Sequence, residues 1–546
     1  MGMQRGIHMT AAIFRRLALP AVVSLLAVPA AAVAQVTPFT QAVAVAASGD
    51  EALSTYYRES GYEPLWTDAD ADDRARREAL LTAVSKTDLH GLPAGRYDAD
   101  RLRSMMGDAT DARARGQLEV ELSRLFLRFA SDISTGILEP EKVVSKIKRT
   151  APENNRVELL RDLSTSRPHA FMDRLSPESL EYKRLVRERL RLIDAVQQGS
   201  WGEQVEAARL DEGASGADVV RLRDRLSAMG YLERSPTQTF DASMRQAVER
   251  FQADHGLKID GIVGGKTRDE LNTPPEDRLG SILVAMERER WMNRDRGERH
   301  VWVNLTDFRA KIIVDGETYF ETKSVIGSDM PDRETPEFSD TMDHMVINPY
   351  WYVPRSIIVN EYLPDLRRNP YAHGQLDVIN SRGQIVNRGR GFSNYSSRTF
   401  PFSMRQKPGP QNALGRVKFM FPNTYNIYLH DTPAQSLFER EVRAFSHGCI
   451  RLDDPYEFAE ALLTLDGVAD PMGTFQRHLT SGNNTRLELA DPLPVHLVYR
   501  TAIAKLDGGV EYRDDIYGRD AQILEALQAE GVELPRAALR VASAAE

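Results

Sequence analysis

The run Ser446-His447-Gly448-Cys449-Ile450-Arg451-Leu452 holds the one cysteine in 546 residues. A thiol set between Gly, His and Arg, outside any apolar run, is placed for chemistry. The thiolate is the reactive form, and neighbouring positive charge and backbone N–H donors both favour it. The competing reading is a small buried hydrophobe, as most free cysteines are. Thiol chemistry near neutral pH needs a base that takes the proton and later returns it, and imidazole serves both directions. Two histidines compete for that role. His447 precedes the thiol by two residues, where a strand would carry it parallel to Cys449. His430 arrives on a separate strand, with Asn426 and Tyr428 expected on its face, and can point at the sulfur. The spacing therefore favours His430 as base and leaves His447 a hydrogen bond that holds the turn. His496, inside an apolar stretch, reads as a core histidine.

Gly448 permits torsions closed to other residues, and the N–H groups of Gly448 and Cys449 are candidate donors to a tetrahedral oxyanion. Arg451 binds a substrate carboxylate, or lowers the thiol pKa, or only pairs with Asp453 or Asp454. No spacing over residues 41–201 suits a metal site.

Other elements must carry these residues. The formal net charge of −9 is spread without long runs of one sign, which argues against nucleic acid or a polybasic membrane surface. Arg5, Arg15 and Arg16, the apolar run Leu17 to Val28 and the Ala32-Val33-Ala34 site predict a signal segment over residues 1–34, cleaved or kept as an anchor. An exported chain with one cysteine cannot pair it internally, which shifts the weight toward catalysis. A disulfide between chains is the competing outcome.

Residues 41–201 carry the helical period, with Leu122, Leu125, Phe126 and Phe129 on one face, and read as a helical scaffold. Residues 213–272 read as three short helices around a small core, closed by the linker Pro274-Pro275. Beyond it the period falls to two: His300 to Leu305, Arg309 to Val314 and Tyr319 to Ile326 read as strands, with Asp315-Gly316 at a hairpin. The fold class is multidomain α+β, with a mainly antiparallel β catalytic domain over 280–480 and a strand and helix segment over 485–546 packing on the catalytic or scaffold domain. Between about 355 and 406 the text turns polar and weakly patterned, helix-compatible only near Ser356 to Leu366, and reads as an inserted lid.

Two sets of residues carry resemblances. Gly216, Leu222, Gly230-Tyr231, Phe251-Gln252, Gly256-Leu257, Asp260-Gly261, Gly264 and Thr267 resemble the peptidoglycan-binding module found beside cell-wall enzymes. His430-Asp431-Thr432-Pro433 followed by Ser446 to Leu452 resembles the signature of L,D-transpeptidases with the YkuD-type catalytic fold. The order of segments is similar to the large scaffold-bearing, YcbB-like branch of Gram-negative bacteria. The resemblance implies a periplasmic enzyme without cofactor or metal. It implies that Cys449 forms a thioester with the third residue of a tetrapeptide stem, releasing D-Ala, and passes it to the diamino acid amine of a neighbouring stem in a 3-3 cross-link. His430 would be the base, Ser446, His447 and Gly448 would shape or support the oxyanion site, and Tyr428 and Arg451 would bind substrate. Carbapenems would acylate the cysteine. Expected partners are peptidoglycan stems and the sacculus, with penicillin-binding proteins and a D,D-carboxypeptidase as suppliers of the donor. Two other functions compete: an L,D-carboxypeptidase or protein-anchoring enzyme using the same thiol, and a non-catalytic wall-binding protein working through 213–272.

Overall fold

The computed structural model describes residues 36–199 and 201–535; the expected signal segment lies outside them. Helices fill the first half. Asp50, Asp111 and Ser179 cap successive helices by accepting backbone N–H bonds from the first turn, satisfying donors that a helix start leaves open. Tyr57 and Trp66 are buried in this helical core. They close around Glu119, whose carboxylate accepts from the Leu65, Trp66 and Thr67 N–H groups.

The segment over 213–272 folds as helices Ala217–Met229, Ala242–Asp254 and Gly265–Asn272. Its signature residues satisfy one another. The Gln252 side chain accepts from the Asp260 and Gly261 N–H groups and donates to Asp260 Oδ1 and Thr267 Oγ1.

Helix Pro275–Trp291 joins the units. Pro275 opens it, acids fill its first turn and Arg288 and Arg290 its last, in the sense the helix dipole favours. It is buried along nearly its whole length and packs against helices Leu180–Gln197 and Arg519–Ala529. Its buried charges are paired: Arg290 with Glu287 (2.9 Å), Arg288 with Glu337 (2.6 Å) and Glu289 with Arg500 (2.6 Å).

The strands follow in chain order. β1 (Arg299–Asn304), β2 (Arg309–Val314), β3 (Glu317–Gly327) and β4 (Phe338–Ile347) precede the insertion; β5 (Trp351–Tyr352), β6 (Leu376–Ile379) and β7 (Ser403–Gln406) belong to it. After it come β8 (Val417–Met420), β9 (Leu429–His430), β10 (Ala444–Ser446), β11 (Ile450–Leu452), β12 (Thr485–Val498), β13 (Ala502–Ala504) and β14 (Val510–Tyr512). The main sheet runs β10-β3-β11-β9-β8-β4-β12-β1-β2, and β2 also pairs with β3, closing eight strands into a ring. Ladders β1 on β12, β3 on β10 and β9 on β11 are parallel, and the others antiparallel. β12 lies between β4 and β1, so residues 485–498 complete the sheet.

The insertion corrects the expectation of weak patterning. Helical turns from Arg355 to Arg368 and the sheet β5-β7-β6 enclose a core of Ile358, Leu366, Val378, Phe392, Phe400 and Met404. A π-helical stretch, Ile358–Tyr362, interrupts the helix; such bulges recur at functional sites.

Candidate active site

The register of three strands sets the site. Lys418 of β8 lies opposite His430 of β9, and His430 lies opposite Arg451 of β11. Their chain neighbours Phe419, Leu429 and Ile450 are fully buried in the main core. Alternation turns Lys418, His430 and Arg451 to the opposite face. Tyr428 joins them, its ring 5.7 Å from that of His430.

The turn from β10 to β11 carries the thiol. Gly448 sits at φ +112°, a conformation that side chains resist, and this bends the chain so that His447 and Cys449 do not run parallel. The Ser446 hydroxyl accepts from the Gly448 N–H (3.0 Å) and donates to the Cys449 carbonyl (2.5 Å), while Thr335 Oγ1 donates to the Gly448 carbonyl (2.8 Å). The Gly448 N–H is therefore spent inside the turn, which corrects its expected role as an oxyanion donor. The Cys449 N–H has no acceptor among the described residues.

Cys449 is half-buried, and its Sγ lies 3.5 Å from the Asn426 carbonyl. Alternation predicted Asn426, Tyr428 and His430 on one strand face, but β9 is only Leu429–His430, so Tyr428 and Asn426 both precede it, and Asn426 takes φ +56°. Burial pushes the thiol up to about 11, against the opposing pull of Tyr428, Arg451 and Lys418. Burial, then Arg451 and Lys418, push His430 down to about 3. Burial and the adjoining Cys449 raise the Tyr428 phenol. The resting pair is thiol and neutral imidazole, so desolvation outweighs the thiolate-favouring charge expected from the sequence.

His430 is 3% exposed, with Nδ1 2.5 Å from the Asp431 carbonyl. A carbonyl only accepts, so Nδ1 carries the proton and Nε2 keeps its lone pair. Asp431 in turn accepts from the Arg416 and Thr432 N–H groups, which fixes the peptide orienting the ring.

His447 points elsewhere. Its Nε2 is 2.7 Å from Glu361 Oε1 in the π-helical stretch of the insertion, and Arg333 Nη2 reaches the same oxygen at 3.0 Å. Arg451 does not pair with Asp453 or Asp454. Those acids meet Lys323 and the Thr322 hydroxyl, and Arg451 Nε is buried with no hydrogen-bond partner.

Cys449, His430, Tyr428 and Arg451 share a cleft of about 840 Å³ with Tyr352 and Arg355 from the insertion. Sequence reasoning passed over Lys418 as a cleft residue, although a single lysine in the otherwise apolar β8 marks its position. It also missed Glu361 and Thr335, whose partners lie far along the chain. Among the described residues no group of three or more His, Cys, Asp or Glu could hold a metal ion. No helix among them is long and apolar enough to cross a membrane.

The chain is modular, and its residues 298–475 match the L,D-transpeptidase catalytic domain of the YkuD type. Residues 51–188 match a Scaffold domain and 215–271 a "Putative peptidoglycan binding domain". A "Putative L,D-transpeptidase" of Haemophilus influenzae is 30% identical over 225 residues, 41% of this chain and 45% of that protein. The chain thus spans less than half the length of this curated relative. A spore cortex-lytic enzyme of Oceanobacillus iheyensis is 34% identical over 62 residues, 11% of this chain and 22% of the enzyme. Among solved structures, an L,D-transpeptidase of Stackebrandtia nassauensis shares 14% identity, covering 54% of this chain and 97% of that one at a TM-score of 0.21. One from Xylanimonas cellulosilytica shares 14%, covering 54% and 100%, at 0.17. With scores this low, the sequence matches carry the assignment.

Proposed function

We propose that this chain is a cysteine-dependent L,D-transpeptidase of the periplasm, exported by its first 34 residues, that makes 3-3 cross-links in peptidoglycan. The observation that carries this reading is that Cys449 lines one cleft with an imidazole whose Nε2 is left unprotonated by the Nδ1 bond to the Asp431 carbonyl, in a domain matching the YkuD catalytic family.

Cys449 Sγ attacks the carbonyl of the third stem residue as its proton passes to His430 Nε2. With the thiol near 11 and the imidazole near 3, the proton moves as the S–C bond forms, without a resting ion pair. The unspent Cys449 N–H donates to the oxyanion, and Ser446 and Gly448 hold the turn that presents it. The C–N bond breaks, His430 returns the proton to the departing D-Ala amine, and a thioester remains. The diamino acid amine of a second stem then attacks the thioester, His430 takes its proton, the C–S bond breaks and the thiol is restored. Tyr428 and Arg451 line the donor site. Carbapenems acylate the same sulfur. The module over 215–271 brings the enzyme to the sacculus, where penicillin-binding proteins and a D,D-carboxypeptidase prepare the donor.

Incubation with purified tetrapeptide muropeptides, followed by mass spectrometry, tests the reading. A cross-linked dimer and free D-Ala are expected. Tripeptide alone would indicate an L,D-carboxypeptidase, and unchanged substrate with retained sacculus binding would indicate a binding protein.

A further inference from the structure

Three lysines lie on the strands of the main sheet. Lys311 pairs with Glu321 at 2.9 Å and Lys323 meets Asp453 at 3.8 Å. Lys418 has no carboxylate partner among the described residues, and its ammonium lies 5.3 Å from the centre of the Tyr428 ring. It is half-buried and lines the cleft that holds Cys449. Removing an ammonium from water without a counter-charge is costly, and the face of one aromatic ring offsets only part of that cost.

Arg451 repeats the pattern two strands away, with its Nε buried and unbonded. The ladders place His430 between the two cations. Strands β8 and β11 stand two inter-strand spacings apart, about 10 Å, and both side chains line the one cleft. Of the residues lining the cleft, Lys418, Arg355 and Arg451 are cationic and Asp332 alone is acidic, although the whole chain is acidic. Asp431, the acid following His430, is occupied by backbone N–H groups.

We propose that Lys418, together with Arg451, forms a two-cation cradle that binds the carboxylate of the residue leaving the donor, so that the cleft selects peptides whose scissile bond is followed directly by a free C-terminus. This rests on the acyl-transfer reading of the cleft and sharpens it: Lys418 sets which donor is accepted. A donor lengthened by one residue, or amidated at its end, would leave both cations without an anion.

Because the chain has one cysteine, alkylation of the full-length protein reports Cys449 alone. Iodoacetate and iodoacetamide both form an S–C bond and release iodide, but only iodoacetate carries the anion. Rate constants for both are measured on the wild type, Lys418→Met and Lys418→Arg, and on urea-unfolded wild type. The folded wild type is expected to show an iodoacetate-to-iodoacetamide ratio about three- to tenfold above its unfolded state, falling toward the unfolded value in Lys418→Met and returning in Lys418→Arg. A folded wild-type ratio equal to the unfolded one overturns the proposal, even if Lys418→Met fails to fold. Equal loss with both reagents in Lys418→Met also overturns it, since Lys418 would then act on the thiol alone. In parallel, wild-type turnover of a tetrapeptide donor is compared with that of its C-terminal amide. Preference for the free acid supports the cradle, and equal turnover overturns it while leaving the transpeptidase reading intact. A high alkylation ratio with neither donor consumed would instead sink the transpeptidase reading and keep the anion site.

Discussion

His447 Nε2 and Glu361 Oε1 meet at 2.7 Å, joining the turn that carries the thiol to the π-helical stretch of the inserted subdomain. Arg333 holds the same carboxylate oxygen, so three segments converge on one acceptor. His447 therefore ties the insertion to the cysteine turn, which leaves His430 as the proposed base. Glu361→Ala and His447→Ala should each raise the KM for donor by about tenfold, the scale of one hydrogen bond to a charged group. Iodoacetamide should still alkylate Cys449 within about threefold of the wild-type rate under the same rule. Loss of alkylation in His447→Ala would reassign the base.

The pH dependence follows from the two displaced pKa values. A thiol held near 11 and an imidazole held near 3 leave the neutral pair dominant across the window between them. Thiolate is then scarce at neutral pH, and its fraction grows about tenfold per pH unit until the thiol titrates. Alkylation of the substrate-free protein should therefore climb steadily through pH 9 toward about 11. A plateau beginning below pH 8 would mean a resting thiolate–imidazolium pair and contradict this electrostatic balance.

Much of this site was legible because its residue types are rare and its strands alternate. One cysteine, a separated histidine and a glycine beside the thiol pointed to Cys449, His430 and the Ser446 turn. The Gly448 N–H was misassigned because nothing in the heptapeptide reveals that the Ser446 hydroxyl takes it. The insertion looked unpatterned because its core residues Phe392, Phe400 and Met404 sit in turns and short strands, which impose no regular period. Glu361 and Thr335 were invisible for another reason: their partners His447 and Gly448 lie 86 and 113 residues away, and only the closed sheet brings them together.

The turn itself is sensitive to single atoms. Gly448→Ala places a side chain at φ +112° and brings a Cβ within 3.1 Å of Ile427 Cδ1, so it should cost about 1–3 kcal/mol. Ser446→Ala leaves the Gly448 N–H without its acceptor and should cost about 1–3 kcal/mol. Urea titration reads both losses, and the acylation rate of Cys449 should fall with each. A Gly448→Ala protein with wild-type stability and acylation would show that the turn tolerates other torsions.

Support for the turn extends to the C-terminal segment. Arg519, 1% exposed, pairs with Glu334 at 3.0 Å and Glu337 at 3.1 Å and donates to the Thr335 carbonyl at 2.8 Å; the Thr335 hydroxyl holds Gly448. Arg519→Ala leaves the half-buried Glu334 without its cation while Glu337 keeps Arg288 at 2.6 Å, and should destabilise the protein by about 1–3 kcal/mol. The chemical midpoint checks this, and an unchanged midpoint would remove Arg519 from the support.

The central claim is a covalent acyl-enzyme on one atom. Wild-type protein mixed with a tetrapeptide donor, quenched in acid and digested, should yield the Cys449 peptide carrying the donor lacking its terminal D-Ala. His430→Ala should show that adduct at a rate about two to four orders of magnitude lower. Formation of cross-linked dimer by Cys449→Ala, or a wild-type protein that makes dimer with no adduct on the Cys449 peptide, would contradict the account.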